Sequence, residues 1–203
     1  MNTENQFLDA KSFRYSLDWR FFLPISETSK ILYIGEGGSE VQAFFARLNV
    51  NRFSVLDGDN LDKIRSSPDL PSTFDVIAIP YDIPSHGEYA ALKKRLSPGG
   101  SLLIGFSNRY LSIRKNAISL LKLRFLLARA GFSKVKYYGI FPDQYAPEYI
   151  FPLNLHAVAF ALRHRYQYRM KSWLLQGLLF SPFLFLLLYC APAYYAIATS
   201  DNP

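Results

Sequence analysis

Ile31-Leu-Tyr-Ile-Gly-Glu-Gly-Gly-Ser39 is the stretch on which the reading of this chain turns. Ile31 to Ile34 is a short apolar run that stops at a cluster of glycines. Ser39 to Leu48 then places Val41, Phe44, Phe45 and Leu48 at helical spacing. Ser39 is the expected N-cap, with Glu40 in the first turn. Strand, glycine turn and helix N-terminus in this order predict the start of a nucleotide-binding α/β domain.

The pattern continues outward from that unit. Phe53 to Leu56 reads as a strand ending at Asp57-Gly-Asp59, and Phe74 to Ile79 as a strand closed by Pro80. Glu88 to Leu96 reads as a helix, Pro98-Gly-Gly100 as a turn, and Ser101 to Phe106 as a strand. Ile118 to Ala130 is a basic amphipathic helix capped by Gly131, and Val135 to Ile140 a further strand. The alternation predicts a Rossmann-like α/β fold, a mostly parallel sheet with helices on both faces.

Glycines at positions 35 and 37 let a ligand approach the backbone closely, and the helix N-terminus behind them favours negative charge. Asp57 follows about 20 residues later at the tip of the next strand, where a carboxylate accepts both hydroxyls of an adenosine ribose. Nicotinamide cofactors and S-adenosylmethionine both use this geometry. A plain glycine turn followed by a helix-capping Asp has the same pattern.

The block after Asp57 separates these readings. Leu96-Ser-Pro-Gly-Gly-Ser-Leu-Leu-Ile104 resembles the turn before strand five of class I methyltransferases. Ala130-Gly-Phe132 resembles the "A-G-F" before their strand six, and Ala191-Pro-Ala-Tyr-Tyr-Ala-Ile-Ala-Thr199 their final strand. More narrowly, three pieces resemble bacterial methyltransferases that accompany cell-surface glycosylation enzymes: Asp18 to Pro24, Phe106-Ser-Asn-Arg-Tyr110, and Tyr138 to Asp143 with Ile150 to Asn154. The resemblance implies S-adenosyl-L-methionine as cofactor, contacted by Gly35, Glu36, Gly37, Asp57 and Pro80. It also implies a division into an N-terminal segment (1–29), a methyltransferase-like domain (30–162) and a C-terminal region (163–203). Two departures stand out. Tyr33 occupies the position where the family has an acid for the methionine amino group, and Ser39 replaces the third glycine. The interval from Asp57 to Phe74 is also too short for the family's helix, strand and adenine-contacting acid. One βα unit is therefore expected to be shortened to a helix at 59–65, leaving one strand fewer than the family's usual seven.

Methyl transfer needs a side chain for catalysis only when the acceptor must lose a proton. Tyr81, Asp82 and His86 follow the strand Phe74 to Ile79 at the carboxyl edge, where substrates bind in open sheets, and are the candidates. His86 suits a general base near neutral pH. Asn108 and Arg109, at the tip of the strand Ser101 to Phe106, are placed to orient an acceptor's carboxylate, phosphate or sugar; a residue that merely ends a strand is the plainer reading of Asn108. No cysteine, histidine and acid cluster has metal-ligand spacing, so no metal is expected.

With a single cysteine, Cys190, the chain has no disulfide framework. Its net charge of +7 is concentrated. Eight Lys or Arg residues and no acid lie between Arg109 and Lys136, and Arg163, Arg165, Arg169 and Lys171 abut an uncharged run from Ser172 to Ser200. Basic residues beside an apolar segment fit an anionic membrane surface on its cytoplasmic side, and no nucleic-acid motif accompanies them. The polar start, Met1 to Asp9, does not read as a secretory signal. Trp173 to Tyr189 is expected to form an apolar helix that lies on or spans a membrane, with Pro182 and Gly177 interrupting it. Two functions follow. One is a membrane-associated methyltransferase acting on a lipid-linked, glycan or small hydrophobic acceptor. The other is a catalytically silent accessory protein of the same fold that partners a membrane enzyme.

Overall fold

The computed structural model describes residues 19–56, 70–81, 88–111, 117–141, 147–166, 189 and 191–200. Asp57, the helix expected at 59–65, Asp82, His86 and the apolar stretch from 173 to 188 lie outside the described residues. The strands are β1 (Lys30–Ile34), β2 (Arg52–Leu56), β3 (Phe74–Ile79), β4 (Leu96–Ser107), β5 (Lys134–Phe141), β6 (Tyr149–Pro152) and β7 (Ala193–Thr199). The helices are α1 (Gly38–Arg47), α2 (Glu88–Lys94), α3 (Leu120–Arg129) and α4 (Leu155–Tyr166), with a 3₁₀ turn at Trp19–Phe22.

The strands form one seven-stranded sheet in the order β2-β1-β3-β4-β7-β5-β6. β1 to β4 run parallel, whereas β7 is antiparallel to both β4 and β5, and β6 is antiparallel to β5. The sheet is thus mixed rather than mostly parallel, and it has seven strands rather than six. The strand that raises the number is β6 at the far edge, which the sequence pattern does not announce. Between Leu56 and Phe74 the described residues 70–73 carry no strand.

Central strands read as unbroken apolar runs because both of their faces are covered. Ile31, Leu32, Tyr33 and Ile34 are all fully buried. One face packs Leu32, Ile77, Leu102, Ile104 and Tyr194 against α2, α3 and α4 through Leu92, Leu123, Leu127 and Val158. The other packs Tyr33, Val76, Leu103 and Tyr195 against Phe45 of α1 and against Trp19 and Leu23.

Helix ends follow local chemistry, with one departure from expectation. α1 starts at Gly38, and its N-cap is Gly37 in the left-handed region (φ 73°) without a side-chain cap, so Ser39 lies in the first turn. The Gly37 carbonyl accepts from the Glu40 and Val41 N–H groups at 3.1 and 3.2 Å, a start that needs the positive φ serine would adopt at a cost. At the other end, Asn49 (φ 59°) closes α1, with the Val50 N–H donating to the Phe45 carbonyl. Gly131 (φ 87°) closes α3 in the same way, as its sequence position predicts. Ser119 caps the start of α3 through the Lys122 N–H.

The predicted Pro98-Gly-Gly100 turn exists as an excursion within β4. Phe74 pairs with Leu96, and the next pair is Val76 with Ser101. Asp75 fastens this excursion, accepting from the Ser97 hydroxyl at 2.7 Å and from the Lys30 N–H at 2.9 Å. Burial by itself would raise the Asp75 carboxyl. Those two hydrogen bonds and the charges of Lys30 and Arg52 outweigh it and hold the group below its ordinary 3.8. A lowered carboxylate pKa contributes stability above the ordinary value and loses it as the pH falls through the lowered one. Melting Asp75→Asn beside the wild type should therefore show a gap at pH 7 that narrows toward pH 3.

Gly105 carries the tightest contact in the sheet: a Cβ there would lie 1.9 Å from the Pro80 carbonyl oxygen. Gly105→Ala must push the end of β3 away, with an expected cost of about 3 kcal/mol or more, typical of overpacking at its upper range. A Cβ at Gly37 meets nothing within 4 Å. Gly37→Ala should cost only the roughly 1 kcal/mol of a left-handed alanine. Equal melting temperatures for the two variants would contradict this account of the β3–β4 crossing.

Candidate functional site

Parallel strands β2, β1, β3 and β4 all end on one edge, and the described candidates Gly35, Glu36, Gly37, Pro80, Tyr81, Asn108 and Arg109 follow their ends. The Gly35 N–H donates to the Leu56 carbonyl at 3.0 Å, tying the glycine turn to the tip of β2, directly before Asp57. β1 pairs with β3 up to Tyr33 and Ala78, so Gly35 and Pro80 stand side by side where the strands run out. Pro80 is buried against Gly105, and Tyr81 beside it is half-buried. Asn108 and Arg109 sit further along, beyond the end of β4.

The glycine turn has a buried side and an open one. Gly35 is buried, whereas Glu36 and Gly37 are exposed, and the approach to Gly37 is clear. The N–H groups of Gly38 and Ser39, which open α1, follow immediately and have no intrahelical partner. A cofactor's carboxylate or phosphate fits that backbone. Beneath the turn the fit is different. Tyr33 is fully buried, stacked between Trp19 and Phe53 at centroid distances of 5.9 and 6.4 Å. Its hydroxyl donates to the Glu36 carbonyl at 2.5 Å, which holds the turn from below. No carboxylate stands at that strand position, and Glu36 is the acid within the turn.

Asn108 is 1% exposed and engaged on every side. Its amide nitrogen donates to the Tyr189 and Ala191 carbonyls at 2.7 and 2.9 Å and lies 3.3 Å from the Tyr194 hydroxyl. Its side-chain oxygen accepts from the Tyr110 N–H, and its own N–H donates to the Pro192 carbonyl. The side chain thus clasps the chain entering β7. Arg109 is exposed. Among the described residues no group of histidine, cysteine and acid side chains is placed to hold a metal. A cleft of about 450 Å³ lined by Lys30, Asn51, Arg52, Phe53, Ser54 and Pro71 includes the first residues of β1 and β2, at the end of those strands away from the glycine turn.

No family model matches the sequence, and none of the curated proteins does. Solved structures do match. A SAM-dependent methyltransferase from Archaeoglobus fulgidus superposes with a TM-score of 0.57 at 14% identity over 94% of this chain and 93% of that one. A SAM-dependent methyltransferase from Thermotoga maritima gives 0.53 at 14% identity over 98% and 94%. This chain has the methyltransferase fold. Phosphoethanolamine N-methyltransferase 2 of Haemonchus contortus, solved with phosphomonomethylethanolamine and S-adenosylhomocysteine, gives 0.50 at 13% identity; 96% of this chain spans about half (53%) of that protein.

Sequence reasoning missed Tyr33 as the support of the turn, because an aromatic residue in an apolar strand reads as core. It also missed the clasp at Asn108, whose partners lie more than eighty positions away. The start of α4 was missed as well: Asn154 accepts from the Ala157 N–H at 2.8 Å as its N-cap. Replacing Asn108 tests the clasp. Asn108→Ala strands two carbonyls at about 1–3 kcal/mol each. Asn108→Asp should be less stable still at pH 7, since it turns a carboxylate toward those carbonyls. Urea melts that rank aspartate above alanine would refute the assignment.

Proposed function

We propose that this chain is an S-adenosylmethionine-dependent methyltransferase working at the cytoplasmic face of a membrane on a lipid-linked, glycan or small hydrophobic acceptor. The observation that carries the reading is the open, left-handed glycine turn at the carboxyl edge of parallel strands in a methyltransferase fold. The bound cofactor supplies an electrophilic methyl group on a sulfonium. The chain's own residues do the rest. The Gly37 backbone and the start of α1 receive the cofactor's carboxylate, and Glu36 takes the ammonium that Tyr33 has no charge to meet. Asp57 holds the ribose and Pro80 borders the reacting edge. Tyr81, Asp82 and His86 follow β3 there and supply the base for an acceptor that must lose a proton, while Arg109 meets an anionic group on the acceptor. Membrane attachment rests on the basic cluster Arg163 to Lys171 and the uncharged run behind it. No described helix is long and apolar enough to cross a membrane. The pieces resembling glycan-associated enzymes favour a cell-surface acceptor.

Tyr33 favours a second reading, an accessory protein that keeps the fold without catalysis and partners a membrane enzyme. Titration calorimetry separates the two. The wild type should bind S-adenosylmethionine and not NADH. Gly37→Val should lose that binding while still melting cooperatively, because its side chain fills the clear approach to the turn. His86→Ala should keep cofactor affinity and lower turnover by about 10²-fold or more, as for a lost general base. A wild type without affinity for S-adenosylmethionine would leave the accessory reading standing.

A further inference from the structure

α3 turns toward solvent a face that is poorly composed for water. At 100° per residue Leu121, Phe125 and Ala128 form one ridge. Lys122 and Arg129 flank it on one side and Arg124 on the other, while Leu120, Leu123, Leu126 and Leu127 fill the buried side. Leu121 is 58% exposed and Phe125 62%. Exposed apolar side chains also lie near the helix start. The Ile118 N–H donates to the Ser107 carbonyl and the Arg109 N–H to the Ile118 carbonyl, which brings exposed Tyr110 and Leu111 at the tip of β4 to the head of α3.

A solvated helix face carries charges of both signs, and a protein-docking face is depleted of charge at its centre and rim-mixed around it. Here the flanking charges are all positive, and no acid occurs from Arg109 to Lys136. An apolar ridge between cationic shoulders is the composition of a helix lying in a bilayer interface, its cations among anionic headgroups. We propose that this face of α3, continued by Tyr110 and Leu111, rests on an anionic lipid bilayer. The proposal deepens the membrane reading given above by adding a contact separate from the C-terminal region. It also sets the tip of β4, and with it the acceptor side of the carboxyl edge, against the lipid.

Co-sedimentation of the full chain with vesicles tests it. Wild-type protein should partition onto phosphatidylcholine vesicles containing phosphatidylglycerol at least tenfold better than onto phosphatidylcholine alone. Leu121→Ser/Phe125→Ser should weaken that partition about tenfold, and Lys122→Gln/Arg124→Gln should flatten its salt dependence. Both pairs are exposed, and S-adenosylmethionine affinity should be unchanged in each. Independently, a polarity-sensitive fluorophore on Leu121→Cys in a Cys190→Ser background should shift to the blue when anionic vesicles are added. Undiminished partition of the Leu121/Phe125 variant, with no blue shift, would overturn the proposal while leaving a C-terminal attachment intact. So would self-association of the wild type through this face without lipid binding. Failure of cofactor binding with lipid binding retained would instead count against the methyltransferase reading alone.

Discussion

β7 makes the sheet one object. Every residue from Ala193 to Ala198 has a neighbour on β4, and every one also has a neighbour on β5. Without it, β2-β1-β3-β4 and the β5-β6 pair would be two sheets with exposed edges, each presenting unpaired backbone groups. The strand is written for the slot: small residues at Ala193, Ala196 and Ala198 admit the helices and the neighbouring side chains, and Tyr194 and Tyr195 point to opposite faces and fill one core each. Phe106 stacks on Tyr194 at 5.2 Å, joining β4 to β7 through their side chains as well as their backbones. Asn108 sits at the entrance to this slot and fixes where the strand begins.

That dependence explains what could be read from the sequence. Strand, glycine turn and helix repeat at short range, so Ile31 to Ser39, Phe74 to Ile79 and Ile118 to Gly131 announce themselves through local periodicity and caps. The last strand was also legible, through the resemblance of Ala191 to Thr199 to the final strand of class I methyltransferases. Direction and neighbours were not, because pairing across more than fifty positions leaves no local mark. β6 was missed for a related reason: a four-residue edge strand ending at Pro152 has too little length for alternation to show. Its slot is nonetheless specific, since Gly139 lies under the Phe151 ring and a Cβ there would come within 2.6 Å of it.

The candidate site divides along the same line. Gly35 and Gly37 could be named from spacing, as could the edge on which Pro80 and Tyr81 lie. What lies beneath the turn could not. Tyr33 joins Trp19, Phe45 and Phe53 in an aromatic layer assembled from the 3₁₀ turn, β1, α1 and β2. The substitution exchanges a charged contact for a rigid floor. A carboxylate at the end of β1 would have to be buried within this layer, at a cost of several kcal/mol without a partner. A tyrosine there satisfies its hydroxyl on the Glu36 carbonyl and contributes its ring to the packing.

The clasp also fixes where the chain re-enters the sheet. The chain leaves the described core at the end of α4 and returns at Tyr189, whose carbonyl Asn108 holds. Both β4 and β7 are therefore set by groups on the core side of that return, and they pair directly with each other. The register of β7 is fixed by paired backbone on both of its sides. The clasped return lies beside Asn108, and Tyr110 and Leu111 follow it directly. The glycine turn follows β1 and Asn108 follows β4, so the two stand at different strand tips of one edge with β3 between them.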